Sequence, residues 1–337
     1  MKICSLLASG TEMLFALGLG EQVIGVTEYC NYPTEAKTRR VVSKGVIDIY
    51  HMTAKEVDDK VQELARTGSS AYAFDTDWLS EAKPDLILTQ DMCKSCDLDA
   101  KDVFCTIEKI EPKPHVLVLN PRRHSDIFAN IRRVADAAGV PERGLSLVTD
   151  LQGRVDKVKK KVSGAGTGPR VLFLEWTDPP SPAGDWMPEQ VAAAGGIPQL
   201  SEPGVAPSRL NWPVIERCEP DVIIVGPCSH NISRSLKEMP NVGKVDAWWR
   251  LGAVRTGNTY IVNSEYFDRP GPRVVDGMEI LAQILHPDLG ICEIPPNAVV
   301  KLERTGAAPA RAEEIVDLFH PYPQGPNERH LVEKNAE

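Results

Sequence analysis

Length, composition and charge limit the kind of protein that this chain can be. Its 337 residues, of which 42% are hydrophobic and 25% charged, have the composition of a globular protein. At roughly 100–200 residues per domain, the length predicts two domains. The formal net charge of −9 argues against nucleic acid or an anionic membrane as the main partner, since both attract basic surfaces.

The amino-terminal sequence predicts a cytoplasmic protein. Its apolar stretch, Met1 to Leu7, is short, and polar residues from Ser9 to Glu12 interrupt it, whereas a secretory signal needs about 7–15 apolar residues before its cleavage site. No run in the sequence approaches the ~20 apolar residues of a membrane span. The eight cysteines fit a reducing compartment, because a small secreted domain stapled by disulfides would be shorter and richer in cysteine.

Two halves of the sequence share one order of predicted elements. Each half has an apolar strand, a polar loop, a helix that ends at glycine, a second apolar strand after Pro-Asp, and a further strand. In chain order these are Lys2–Leu7, Met13–Gly20, Leu86–Leu88 and Val116–Asn120, then Arg170–Leu174, Pro188–Gly196, Val222–Val225 and Thr259–Asn263. Short Val/Ile/Leu strands alternating with helices are typical of parallel sheets covered on both faces. The sequence therefore predicts an α/β fold with two Rossmann-like lobes.

A single long helix is predicted between the two lobes. From Pro141 to Val162, apolar residues recur at spacings of three and four, which places them on one helix face opposite a charged face. We expect this helix to join the lobes, although an ordinary surface helix of the first lobe has the same pattern. The predicted organisation is a lobe at 1–140, the helix and a glycine-rich joint at 141–166, a second lobe at 167–290, and an irregular tail at 291–337 with one short helix around Arg311–Phe319.

Aromatic residues are concentrated in the loops where a ligand would bind. In an open parallel sheet, ligands bind outside the carboxyl ends of the strands. That rule selects the loop with Thr11 and Glu12, and several loops whose aromatic side chains suit a bulky, partly apolar ligand such as a ring system. The aromatic residues are Tyr29, Tyr32, Trp176, Trp186, Tyr266 and Phe267. Packing between the lobes would explain some of them equally well.

Four cysteines also lie in predicted strand-end loops: Cys30, Cys93, Cys96 and Cys228. Cys93 and Cys96 have the C-x-x-C spacing that lets two thiolates bind one tetrahedral metal or form a redox pair. Soft thiolates suit zinc, Cu(I) or a metal centre in a ligand. A cytosolic thiolate metal-binding or redox protein is therefore the alternative function, and inert reduced thiols would give the same sequence.

The sequence lacks the motifs of common enzymes and offers one basic segment near the last predicted helix. There is no glycine-rich nucleotide loop, nucleophile elbow or H-E-x-x-H motif, so we do not expect a catalyst, and only a Cys93–Cys96 redox pair would support one. Arg269 and Arg273 precede a predicted helix, where they could bind a carboxylate or phosphate of a ligand or pair with Asp268 and Asp276.

The order of these segments resembles the class III periplasmic binding proteins, the helical-backbone receptors, and among them the vitamin B12 (cobalamin) receptors of ABC transporters. The resemblance spans about residues 2 to 287. It is carried by the segments 10–18, 25–33, 83–87, 178–184, 194–196 and 267–273.

The resemblance implies a rigid receptor that holds a cobalamin-like or other metal-containing ligand in a cleft between its lobes, with Tyr29, Tyr32, Trp176, Trp186, Tyr266, Phe267 and Arg269 in contact with it. It also implies delivery of the ligand to an ABC transporter. Two features depart from the family pattern: the family's receptors are exported, whereas we expect this chain to be cytoplasmic, and they lack its set of loop cysteines.

Overall fold

The computed structural model describes residues 1–90, 107, 110–303 and 308–323. The chain divides into two compact units: unit 1 comprises Met1–Asp156 and Arg269–Asp276, and unit 2 comprises Lys157–Asp268 and Gly277–Glu337. Each unit contains one sheet with helices, largely parallel in unit 1 and mixed in unit 2. The predicted two-lobed α/β fold is confirmed, and a segment of eight residues from the second half of the chain belongs to unit 1.

The sheet of unit 1 has six described strands in the order β4-β3-β2-β1-β5-β6. Only β3 and β4 pair antiparallel; the other pairs are parallel. The strands are β1 (Ile3–Ser5), β2 (Val23–Thr27), β3 (Arg40–Gly45), β4 (Tyr72–Phe74), β5 (Leu86–Thr89) and β6 (His115–Val118). The central strands β1 and β5 are buried along their whole length, which explains their continuous apolar sequences.

Four described helices complete the fold of unit 1 before the long helix: α1 (Ala8–Ala16), α2 (Ala54–Thr67), α3 (Thr76–Ala82) and α4 (His124–Ala137). The second of them shows why the sequence folds this way locally. Thr53 and Glu56 form a capping box at its start, and Gly68, at φ 67°, ends it in the left-handed conformation that glycine adopts without strain.

The first helix starts earlier than expected. Thr11 and Glu12 were expected in a loop, but α1 begins at Ala8 and includes both. Both side chains are buried. The prediction was wrong because a polar run reads as a loop, whereas here the polar groups have partners inside the unit, as described below.

The predicted long helix is present as α5 (Pro141–Val162). Its apolar face is buried at Val148, Leu151, Val155, Val158 and Val162, as the spacing predicts. Unit 1 ends at Asp156 and unit 2 begins at Lys157, so the residues of this helix belong to both units.

The sheet of unit 2 follows the order β13-β12-β11-β10-β7-β8, and a short strand, β9, also pairs with β7. The pairs among β7, β10 and β11 are parallel, as is β9 with β7, whereas β8, β12 and β13 pair antiparallel. The strands are β7 (Arg170–Thr177), β8 (Pro180–Pro182), β9 (Ile197–Pro198), β10 (Val222–Val225), β11 (Thr259–Val262), β12 (Val299–Leu302) and β13 (Phe319–Pro321).

The described part of the predicted tail, residues 291–303 and 308–323, is more ordered than expected. We predicted an irregular tail after residue 290, but β12 and β13 extend the sheet of unit 2, and a 3₁₀ helix at Ala312–Leu318 replaces the predicted short helix. Phe319 and Ile315 from this segment are buried in the hydrophobic core of unit 2. Because these apolar side chains are buried, this segment packs against unit 2 and pairs with its sheet in spite of the prolines in its sequence.

Helical residues such as Ile215, Met239 and Val254 pack with the fully buried Trp248 in one hydrophobic core of unit 2. The ring of Trp212 meets that of Trp248 edge-on at 5.9 Å between centroids. The helices are α6 (Met187–Ala193), α7 (Trp212–Cys218), α8 (Ile232–Gly243), α9 (Asp246–Arg250), α10 (Gly252–Arg255) and α11 (Val274–Leu285), the last of which starts in unit 1. Among the described helices, none is both long and apolar enough to cross a bilayer.

Candidate functional site

The carboxyl ends of β2 and β3 lie side by side at one edge of the sheet of unit 1. The Gly45 backbone N–H donates to Glu28 Oε1 at 2.6 Å, which links the two loops. A side chain at Gly45 would collide with the Tyr29 hydroxyl, because an ideal Cβ would lie 2.5 Å from it. The glycine at the end of β3 therefore allows the half-buried Tyr29 to lie against the neighbouring loop.

Three large apolar or aromatic side chains at this edge are open to solvent. Tyr32, Val46 and Tyr50 are 46%, 50% and 52% exposed. Of these, only Tyr32 was predicted as a site residue. The loop after β3 was missed because that strand, with Arg40 and Lys44 in its sequence, does not have the pattern of a buried strand. The V-I-D-I-Y run that follows Gly45 was the available signal, and its first and last residues, Val46 and Tyr50, are exposed.

Glu12 lies at the centre of a buried ionic cluster within unit 1. Its carboxylate accepts two hydrogen bonds from Arg273, Nε to Oε2 at 3.0 Å and Nη2 to Oε1 at 2.6 Å. Arg269 Nη1 approaches Oε1 at 3.3 Å and also donates to Asn31 Oδ1 at 2.7 Å. Burial raises the pKa of the Glu12 carboxyl above its ordinary value, and the two guanidinium groups offset part of this shift.

The same cluster supports the exposed Tyr32. The guanidinium carbon of Arg273 lies 4.1 Å from the centroid of the Tyr32 ring, which is the geometry of a cation–π contact. Arg273 is buried and fixed by Glu12, so one face of the Tyr32 ring is covered and the exposed part of the residue is available to another molecule. Tyr32, Arg269 and Glu12 are thus brought together, as the prediction of a common site requires.

The cysteine site predicted from the sequence gains no support. Cys30 is buried, its Sγ lies 3.0 Å from Thr11 Oγ1, and burial raises the pKa of its thiol to about 11, which disfavours the thiolate that binds a metal. Cys93 and Cys96 lie outside the described residues, and Cys228 is half-buried in unit 2. Within the described ranges, no group of three or more potential metal ligands is placed to hold an ion.

In unit 2, Trp176 and His230 meet at the carboxyl ends of β7 and β10. Their ring centroids are 5.5 Å apart, and Trp176 is half-buried while His230 is buried. Neither ring nitrogen of His230 has a hydrogen-bond partner among the described residues. Burial, with a smaller contribution from the Arg234 charge, lowers the pKa of His230 to about 3, so the imidazole is neutral at physiological pH.

Asp268 joins the two loops that follow β10 and β11. Its Oδ2 accepts hydrogen bonds from the Ser229 backbone N–H at 2.6 Å and from Ser264 Oγ at 3.0 Å. The backbone N–H of Ser264 donates in turn to the carbonyl of His230. These bonds hold the residues around Trp176 and His230 in one arrangement.

Two of the predicted aromatic contacts are largely internal to unit 2. The Trp186 Nε1–H donates to the Phe267 carbonyl at 2.9 Å, and the Phe267 ring packs on Phe173 at 5.3 Å between centroids. Both Trp186 and Phe267 are buried, whereas Tyr266 is half-buried. Their burial favours a supporting role for Trp186 and Phe267, and direct contact of any of these residues with a ligand stays a prediction.

Two α/β units, with aromatic and polar side chains at the carboxyl ends of their sheets, define a two-lobed binding protein. The family model of periplasmic binding proteins matches residues 3–266. The match covers more than half of the sequence, and the chain belongs to the periplasmic binding protein family.

Relatives and a solved structure show similarity over most of the chain. The uncharacterized ABC transporter substrate-binding lipoprotein YvrC of Bacillus subtilis is 24% identical over 85% of this chain and 80% of its own. The vitamin B12-binding protein of Pectobacterium atrosepticum is 23% identical over 88% and 91%. The periplasmic heme-binding protein RhuT of Roseiflexus sp. RS-1 has the same fold, with a TM-score of 0.63 and 21% identity over 86% of this chain and 98% of its own.

Proposed function

We propose that this chain is a substrate-binding protein of the ABC transporter type whose ligand is a metal-containing tetrapyrrole of the cobalamin or haem class. One observation carries the proposal: in each unit, an aromatic side chain at the carboxyl ends of parallel strands packs against a buried side chain. Tyr32 contacts Arg273 in unit 1, and Trp176 contacts His230 in unit 2. The relatives named for vitamin B12 and heme binding support the same ligand class.

The chemistry of these residues suits a large, flat and partly apolar ligand. Aromatic rings provide a wide contact area with few rotatable bonds, so they lose little conformational entropy when they bind. A neutral His230 beside Trp176 adds no charge at that edge, and Arg269, which is mostly buried with Glu12, provides a cation near Tyr32. An aromatic surface with two arginines nearby matches a conjugated macrocycle that carries acidic or amide side groups.

The proposal is tested by titrating the purified full chain with haemin and, separately, with cyanocobalamin, while following ligand absorbance and the quenching of tryptophan fluorescence. We expect saturable one-site binding of at least one of them with a Kd below about 100 μM, equivalent to roughly −5.5 kcal/mol. Absence of saturable binding of both ligands at that concentration would contradict the proposal.

Trp176→Phe and Trp212→Phe form a matched pair for this titration. Trp176 lies at the proposed binding edge, whereas Trp212 packs against the core residue Trp248. We expect the first substitution to weaken binding by about threefold to tenfold and the second to leave it unchanged. Equal affinities for the two variants would remove Trp176 from the site.

Delivery to a membrane transporter and the cytoplasmic location are separate parts of the proposal. Delivery requires a complex with a transmembrane partner, which affinity capture on reconstituted transporter in the presence and absence of ligand would detect. The cytoplasmic location stays a prediction, and fractionation of cells that express the native gene tests it.

A further inference from the structure

We infer that Arg273 is a positioning residue for ligand binding: held by Glu12, it fixes the ring of Tyr32 as a rigid platform on which a planar conjugated ligand stacks. This inference rests on the proposed function and deepens it, because it assigns a role to two buried residues that need not touch the ligand.

The guanidinium of Arg273 has little freedom to move. Two of its nitrogens donate to the two oxygens of Glu12, and this bidentate geometry sets the plane of the guanidinium as well as its position. Glu12 is only 3% exposed and sits in α1, whose residues from Ser9 to Leu14 are buried. The carboxylate is therefore anchored in the core of unit 1, and Arg273 is anchored through it.

The anchored guanidinium determines where the Tyr32 ring lies. At 4.1 Å from the centroid, Arg273 is close enough to attract one ring face electrostatically. The neighbouring residue Asn31 accepts a hydrogen bond from Arg269 at 2.7 Å, so the backbone that carries Tyr32 is held as well. The exposed ring is therefore fixed in orientation before a ligand binds. Stacking of a ligand on it costs less side-chain entropy than stacking on a mobile side chain would.

The buried cation also predicts which ligands the platform prefers. Arg273 and Arg269 together outnumber the Glu12 carboxylate by one positive charge, which makes this edge less attractive to a cation and more attractive to an anionic conjugated system. The platform should therefore discriminate between porphyrins of equal size and opposite charge.

Three variants of the full chain test the inference. Arg273→Lys keeps the charge but cannot form the bidentate pair or the flat contact with Tyr32. Glu12→Leu combined with Arg273→Met removes both members of the bidentate pair together, and Arg269 keeps its hydrogen bond to Asn31. Arg154→Met is the control, because Arg154 pairs with Asp276, which belongs to the same segment, Arg269–Asp276, as Arg273.

The measurements are haemin affinity and the ¹⁹F NMR signal of Tyr32 in 3-fluorotyrosine-labelled protein, assigned by its loss in Tyr32→Phe. We expect Arg273→Lys and the double variant to weaken haemin binding about tenfold and to shift the Tyr32 signal, while Arg154→Met changes neither. We also expect wild-type protein to bind an anionic porphyrin at least tenfold more tightly than a tetracationic one, and the double variant to keep this preference, because Arg269 leaves the net charge of the cluster unchanged.

The outcomes separate failure of the inference from failure of the proposed function. If wild-type protein binds haemin and the double variant binds it equally well with an unshifted Tyr32 signal, the positioning role is wrong. If wild-type protein binds neither haemin nor cyanocobalamin, the proposed function fails and the inference fails with it. A loss of affinity that Arg154→Met reproduces would show general loosening of the segment and would also overturn the positioning role.

Discussion

Removal of the Glu12 carboxylate should destabilise unit 1 strongly. In Glu12→Ala, the buried Arg273 loses both of its hydrogen-bond acceptors on Glu12, and Arg269 loses its contact at 3.3 Å. Breaking a buried ion pair by deleting one partner typically costs about 3–5 kcal/mol, because a desolvated charge is left without a partner. Both members of this pair are nearly inaccessible, at 2% and 7% side-chain exposure, so we expect the loss to fall in that range.

The matched control is Glu21→Ala. Glu21 pairs with Arg39 at 2.8 Å, but its side chain is 94% exposed, and exposed pairs contribute at most about 1 kcal/mol. Urea denaturation followed by circular dichroism would give the midpoint and slope of the transition in which unit 1 unfolds. Glu12→Gln, which keeps one acceptor oxygen, should fall between the two alanine variants.

The Glu12→Leu/Arg273→Met double variant completes this test. Since Arg273 and its acceptor are removed together and Arg269 keeps its hydrogen bond to Asn31, it should recover part of the stability that Glu12→Ala loses, even though it should bind haemin weakly. If Glu12→Ala shifts the midpoint no more than Glu21→Ala does, the ionic cluster is not the stabilising feature that its burial indicates.

Three further predictions concern unit 2. His230→Leu should flatten the pH dependence of stability, because the native pKa of about 3 lies below the pKa in the unfolded chain. As the pH falls from 6.5 towards 3, wild-type protein should lose up to about 1.4 kcal/mol per pH unit more of its unfolding free energy than the variant does. Urea denaturation across that range measures this loss, and equal dependence of the two proteins on pH would contradict the low pKa. Gly277→Ala should destabilise unit 2 by about 1–3 kcal/mol, since an ideal Cβ would lie 2.2 Å from the Tyr266 carbonyl oxygen; an unchanged melting temperature would show that this close contact relaxes without cost. Trp176→Phe should change the absorbance difference spectrum of bound haemin, because it alters the aromatic ring proposed to contact the macrocycle, and an unchanged spectrum would place the ligand elsewhere.

The sequence predicted those strands and helices that are buried in a regular way along their whole length. The strands at Leu86–Thr89 and Val222–Val225 are buried throughout and read as continuous apolar runs. The long helix from Pro141 to Val162 has a complete apolar face. By contrast, β3 has exposed Arg40 and Lys44 around its buried centre, so its local pattern is neither that of a buried strand nor that of an alternating one.

The candidate site could be predicted only in part, for a related reason. The rule that ligands bind at strand ends selected the loop that carries Tyr32, and a role for this loop in binding stays a prediction. The partners of Glu12 are 257 and 261 residues away in sequence, and no local pattern indicates that Arg269 and Arg273 return to unit 1. Glu12 was therefore predicted to lie in a loop, although it lies in α1 and its charge is paired with two arginines from a distant part of the sequence.

The returning segment Arg269–Asp276 has a consequence for any attempt to divide the protein. A fragment that stops within α5, for example after Asp156, would contain Glu12 but neither of the arginines that contact it. The buried carboxylate would then lack its cationic partners. The complementary fragment would carry eight residues that belong to unit 1. Separate production of unit 1 would thus require its amino-terminal part to be fused to Arg269–Asp276 through an engineered linker, and truncation at the apparent boundary should yield insoluble material.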